Sequence, residues 1–156
     1  MHITIVAVGQ KLPAWAQTAV DDSLARFPRD FTVIVKEVKA EARTGGKPVA
    51  QVMAAEAERI ERAVPAGDIL VAMDEHGRDM TTVDFSKKIS GWKNEGCGVT
   101  FIIGGADGLD PALKAKSRMM LRLSSMTLPH AFARVLLTEQ IYRAWSILAN
   151  HPYHRV

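Results

Sequence analysis

Five short apolar runs, separated by segments with a helical period, constrain this chain more than any other feature. HITIVAV (2–8) is rich in β-branched residues, stops at Gly9 and reads as a strand. FTVIVKEV (31–38), DILVAM (68–73), VTFII (99–103) and MMLRL (119–123) read the same way. The third and fourth are apolar without alternation, as strands covered on both faces are. Between them, residues 12–27 bring Trp15, Ala19, Val20, Leu24 and Phe27 near helical spacing, and residues 49–64 bring Val52, Met53, Ala57, Ile60 and Val64 onto one face. Residues 82–94 turn Val83, Phe85, Ile89 and Trp92 inward, Pro111 opens a short helix to Lys116, and Pro129 opens a long one to residue 150. Strands alternating with helices predict an α/β fold: a mostly parallel sheet with helices on both faces. At 156 residues the expectation is one domain, 1–156, large enough for a proper core.

In such sheets ligands sit at the carboxyl ends of the strands. Three loops are therefore candidates: 73–77, where Asp74-Glu75-His76-Gly77 reads as a turn, 104–108 (GGADG) and 124–128 (SSMTL). Gly104, Gly105 and Gly108 let backbone approach a ligand closely, though a tight turn without any ligand would use them equally well. The spacing is not GxGxxG, it follows the fourth strand, and no GxxxxGK[ST] occurs, which argues against a dinucleotide or ATP site. Leu123 to Leu128 offers apolar walls and free backbone groups with no Lys or Arg to neutralise phosphate. Such a slot suits a flat uncharged base and a thioether or sulfonium chain, and Met73 and Gly104 would face it from neighbouring strand ends.

The charge is uneven. From Lys114 onward there are seven Lys or Arg against Glu139 alone, so a net +6 tail follows a net −3 body, giving the +3 of the whole chain. That asymmetry suggests an anionic partner, although a solvated face is the plain reading. Arg122, Arg134, Arg143 and Arg155, with Arg43 and Lys47 on a polar segment (40–47) that reads as a mobile loop, are the candidate phosphate contacts. The single cysteine, Cys97, has no internal disulfide partner and no neighbours for a zinc site. No apolar run is long enough for a membrane helix, and the start lacks the basic region of a signal peptide. A reduced, cytoplasmic setting is expected.

ITIVAVGQKLPAW (3–15), RFPRD (26–30), FIIGGADGL (101–109) and LSSMTLPHAFARVLLTEQIYRAWSILANHPYHR (123–155) together resemble the small SPOUT-family RNA methyltransferases, end to end and without extra domains. The TLPHAFAR and HPYHR stretches are the most specific. The resemblance implies an α/β fold whose carboxyl end threads a deep trefoil knot, which topology rules would never propose. It implies an S-adenosylmethionine site on Met73, Gly104, Gly105 and Leu123, Ser124, Ser125, Met126, Thr127 and Leu128. It also implies a homodimer, and methyl transfer to N3 of a pseudouridine in the intersubunit stem-loop of large-subunit ribosomal RNA. A small domain offers little surface for reading distant RNA, which favours the assembled ribosome as substrate.

The tail then gains a role. Tyr153 and His154 would hold the base, with His154 as proton acceptor and Arg155 steadying negative charge; Arg143 would face substrate. Arg143 also lies four residues after Glu139, where an ion pair would merely stabilise the helix by roughly 0.2–0.5 kcal/mol. His151 and His154 have a metal-like spacing but no third ligand, so no metal is expected. The long helix carries the tail away from its own slot, so a two-fold dimer would deliver it to the partner's. The alternative is a non-catalytic RNA-binding module of the assembling ribosome, which has no need of the slot.

Overall fold

The structure, a computed structural model, describes residues 1–9 and 11–154. The elements run β1 (His2–Val8), α1 (Ala14–Leu24), β2 (Thr32–Val38), a 3-10 turn (Thr44–Gly46), α2 (Val49–Ala63), β3 (Ile69–Arg78), α3 (Thr82–Asn94), β4 (Val99–Ile103), α4 (Pro111–Lys116), β5 (Met119–Leu121) and α5 (His130–Leu148). The strands form one parallel sheet in the order β2-β1-β4-β3-β5.

Period-two alternation sorts the strand residues onto two covered faces. Ile3, Ile5, Val71, Val99 and Phe101 face α3 and α5, meeting Phe85, Ile89, Trp92, Leu137, Ile141 and Ala144. Val6, Val8, Ala72 and Ile102 face α2 and α4, meeting Ala57, Ile60 and Leu113. Helix α1 packs beside α5 through Ala16 and Val20. Helix starts follow local chemistry. Pro48 and Pro129 stand at the N-caps of α2 and α5, where a missing N–H costs nothing, and the Thr81 and Asp110 side chains accept the N–H of Asp84 and Ala112.

Two expectations are corrected. Residues 74–77 are not a turn that ends β3. The strand continues to Arg78, and both Met73 and Arg78 pair with Leu121, so the residues between them bulge out of the ladder. Gly77 permits this, because a Cβ there would lie 2.7 Å from the Leu121 backbone. Residues 40–47 are not free either. Arg43 lies 2.6 Å from Asp107, Arg59 donates to the Lys39 carbonyl at 2.9 Å, and the Glu41 N–H donates to Glu56 at 3.0 Å. These partners are distant in sequence, so local polarity alone suggested mobility. The first helix is also shorter than its periodicity, because Phe27 leaves it to stack on Phe31 and meet Tyr142 edge-on.

Candidate active site

A cleft of about 600 Å³ opens at the carboxyl ends of β3, β4 and β5, within the size range of small-molecule sites. The three loops singled out from sequence converge on it. Met73, Gly104, Gly105, Leu123, Ser124, Met126, Thr127 and Leu128 line it, and Ser125 does not. Ile103, Leu109 and Leu121 extend the apolar wall, and α5 contributes His130 and Ala133. The Ser124 hydroxyl accepts the Met126 N–H at 2.9 Å and so shapes the 124–128 turn. Gly104 is required for a different reason from ligand approach. A Cβ there would lie 2.6 Å from the Gly108 carbonyl carbon and 2.8 Å from the Leu109 nitrogen, so the chain's own turn excludes a side chain.

The charges decide what the cleft can accept. Asp74, Glu75 and Asp107 are on its lining with Lys114 and Arg122, a balance of −1 when the histidines are left aside. Lys114 donates to Asp74 at 2.9 Å, and Arg122 grips Asp79 through two 2.7 Å bonds. Burial tends to raise the Asp74 pKa, but bonds from Lys114 and the His76 N–H, with the Lys114 charge, outweigh it and hold the carboxyl below its usual value. Both cations are thus neutralised. The cleft suits a neutral or cationic ligand with apolar parts far better than a polyphosphate.

The tail residues gather elsewhere. Asn150 adopts a left-handed conformation (φ 55°), ending α5 and sending the chain back along it. His151 packs on Trp145 and Tyr153 meets Tyr142 edge-on with centroids 4.7 Å apart. The Tyr153 hydroxyl donates to Glu139 at 2.6 Å, Arg143 donates to the same carboxylate at 3.0 Å, and the Arg143 guanidinium lies 4.9 Å from the Tyr153 ring centroid. The bond to Glu139, then burial and the Glu139 charge, push the Tyr153 pKa up, so it stands as a protonated donor. His154 Nδ1 is 3.2 Å from the Ser146 hydroxyl. Arg143, Tyr153 and His154 are absent from the cleft lining, and Arg155 lies outside the described residues. Glu139 is about 9 Å along α5 from Ala133 and on a different side of it, so the described part of the tail, to His154, packs away from its own cleft.

The expected i,i+4 pair of Glu139 and Arg143 forms, but sequence reading missed that Glu139 also anchors Tyr153, and it missed His130, which lines the cleft. His130 sits inside the TLPHAFAR stretch, which was visible in the sequence without a geometry. The phosphate candidates need correction. Arg43, Lys47, Arg122, Arg134 and Arg143 each pair with an acid: Asp107, Glu41, Asp79, Glu37 and Glu139. Asp79 and Glu37 are acids of the body, as is Asp74, which Lys114 meets, so the +6 segment is not a +6 surface. Arg29 and Lys93 are in none of the ion pairs of the described residues; with His2 and Gly96 to Gly98 they line a second concavity of about 580 Å³, at the opposite end of the sheet. Among the described residues, no three His, Cys, Asp or Glu gather as a metal site would need, and no helix is long and apolar enough to cross a membrane.

The model of a family described as predicted SPOUT methyltransferase matches residues 1–154. Ribosomal RNA large subunit methyltransferase H of Ralstonia pickettii (strain 12J) is 53% identical over 156 residues, covering 100% of both chains. The protein of the same name from Bordetella avium (strain 197N) is 54% identical over 155 residues, covering 99% of each. Among solved structures, a methylase family protein from Haemophilus influenzae Rd KW20 superposes with a TM-score of 0.58 at 13% identity, covering 99% of this chain and 70% of the other. One from Neisseria gonorrhoeae gives 0.55 at 14%, covering 99% and 85%. At these identities the two structures speak for the fold.

Proposed function

The chain belongs to the SPOUT methyltransferase family, and from that we propose that it transfers the methyl group of S-adenosylmethionine to large-subunit ribosomal RNA. The observation that carries this reading is the cleft: apolar walls, the glycine-bearing turn 104–108, a balance of −1 and no free cation on its described lining. When bound, the sulfonium of the cofactor supplies an electrophilic methyl carbon without a metal. Met73, Leu123 and Leu128 would hold the apolar parts, backbone of 104–105 and 124–128 the adenine edge, and Asp74, Glu75 and Asp107 the positive charge.

The finer proposal is methylation at N3 of a pseudouridine in the intersubunit stem-loop, on the assembled ribosome and hence in the cytoplasm. The cofactor would supply the methyl carbon to N3 and depart as the neutral thioether, and the protein must accept the N3 proton. His154 is the proposed acceptor, Tyr153 and Arg155 hold the base and offset its negative charge, and Arg143, locked to Glu139, positions Tyr153. We propose further that one domain spans the chain, that it works as a homodimer, and that each tail serves the partner's cleft. Exposed Trp15 and Phe132, their ring centroids 4.9 Å apart and tilted by 45° on the α1–α5 face, support a dimer through that face. The family's trefoil knot belongs to the same reading, supported by the path from edge strand β5 back to α5 against α1 and α3. Arg29 and Lys93 are the proposed phosphate contacts in place of the paired arginines.

Titration calorimetry should show S-adenosylmethionine binding to the wild type and at least about hundredfold weaker binding to Leu128→Arg, whose guanidinium would sit beside the sulfonium in an apolar wall. A Leu128→Arg variant that binds normally would remove the 124–128 turn from the site. A wild type that binds nothing at millimolar cofactor would favour the non-catalytic RNA-binding module.

A further inference from the structure

We propose that Arg134 is a positioning residue for the cleft: its Nε–H fixes His130 as the neutral Nδ1–H tautomer, so that the wall facing the sulfonium carries no positive charge. The inference rests on the methyl-donor reading above.

Arg134 is 2% exposed, and its Nη1 donates to Glu37 on β2 at 2.8 Å. Its Nε lies 2.8 Å from His130 Nε2. A guanidinium has donors only and does not deprotonate, so the facing ring nitrogen must present its lone pair and the ring proton must reside on Nδ1. His130 lines the cleft, and the Gly104 backbone, at the cleft floor, is an acceptor for its ring. Protonating His130 would set N–H against N–H and a cation beside a cation. Burial first, then the Arg134 charge, hold the His130 pKa below the usual histidine value, while the Gly104 carbonyl and the Glu37 carboxylate pull it back. The groups bearing on the ring are therefore Arg134 from its own helix, Glu37 from β2 and the carbonyl ending β4. Burying a guanidinium is costly even when it is paired. The return, in this account, is a donor that keeps the ring neutral where a second positive charge would repel the ligand.

The test follows the His130 ring carbons by NMR between about pH 7.5 and pH 5, with calorimetry of S-adenosylmethionine and of S-adenosylhomocysteine, which lacks the sulfonium charge, across the same range. In the wild type His130 should titrate below the ordinary histidine value. In Arg134→Met it should titrate higher than in the wild type, since the burial remains but the neighbouring cation is gone and Glu37 is left to favour the charged ring. Its dissociation constant for S-adenosylmethionine should then rise about tenfold on acidification, and that for S-adenosylhomocysteine less than about twofold. Adding His130→Asn, which keeps a donor but cannot charge, should make the profile flat again. Glu37→Gln perturbs the same network but removes a pull towards protonation, so its ring should stay neutral, an outcome that mere structural damage would not give. Wild-type His130 titrating near 6.5, or Arg134→Met binding S-adenosylmethionine equally at both ends of the range, would overturn the proposal. If Arg134→Met does not fold, the wild-type and Glu37→Gln titrations decide it. A wild type that binds neither ligand would instead count against the methyl-donor reading.

Discussion

Glutamate in place of both Trp15 and Phe132 should yield a protein that folds and binds S-adenosylmethionine but is monomeric and inactive on RNA. The two rings meet at a tilt on the α1–α5 face, Trp15 50% and Phe132 47% exposed, with Leu136 also exposed on α5. Neither belongs to the buried clusters that hold the sheet and helices together, so charge there should be tolerated in a lone chain. At the centre of an interface the same change is severe, because aromatic anchors contribute about 2 kcal/mol or more each and a carboxylate would be buried unpaired. Sedimentation should show the monomer, and methylation should fall by more than about hundredfold, since no tail would reach a partner's cleft. A double variant that still sediments as a dimer would move the interface off this face.

Mixing two inactive variants should restore activity. Leu128→Arg spoils the cleft and leaves the tail intact; Tyr153→Ala removes the hydroxyl that bonds Glu139 and leaves the cleft intact. In a two-fold dimer with exchanged tails, each mixed dimer holds one site with both lesions and one with neither. Random assortment makes about half the dimers mixed, so co-expressed protein should recover about a quarter of wild-type activity. The geometry favours this outcome because Tyr153 is bonded to Glu139, short of the cleft wall at His130 and Ala133. If each tail served its own subunit, every site in a mixed dimer would carry a lesion and the mixture would stay as inactive as its parents.

The features that were legible in the sequence were those set by short-range pattern. HITIVAV and VTFII became strands with the expected bounds, and Thr82–Asn94 and Pro111–Lys116 became helices with theirs, because apolar period and terminal prolines are local signals. The convergence of 73–77, 104–108 and 124–128 followed from parallel topology. What failed depended on partners far away in the chain. The bulge in β3 is visible only once Leu121 pairs with both Met73 and Arg78. The basic tail reads as an anion-binding surface only while Asp74, Asp79 and Glu37 are left out of the account. A buried Arg134 acting on His130 has the same spacing as an ordinary helix-surface pair, and burial alone separates the two.

Methyl transfer itself is the most direct test. Purified protein, S-adenosylmethionine labelled in its methyl group and ribosomes from cells lacking this methyltransferase should give label in large-subunit ribosomal RNA, and nuclease digestion with mass spectrometry should find it as 3-methylpseudouridine. Release of S-adenosylhomocysteine should match the label incorporated, and Leu128→Arg should give neither. A wild type that binds the cofactor yet leaves joined ribosomes, isolated large subunits and free RNA all unlabelled would contradict the account.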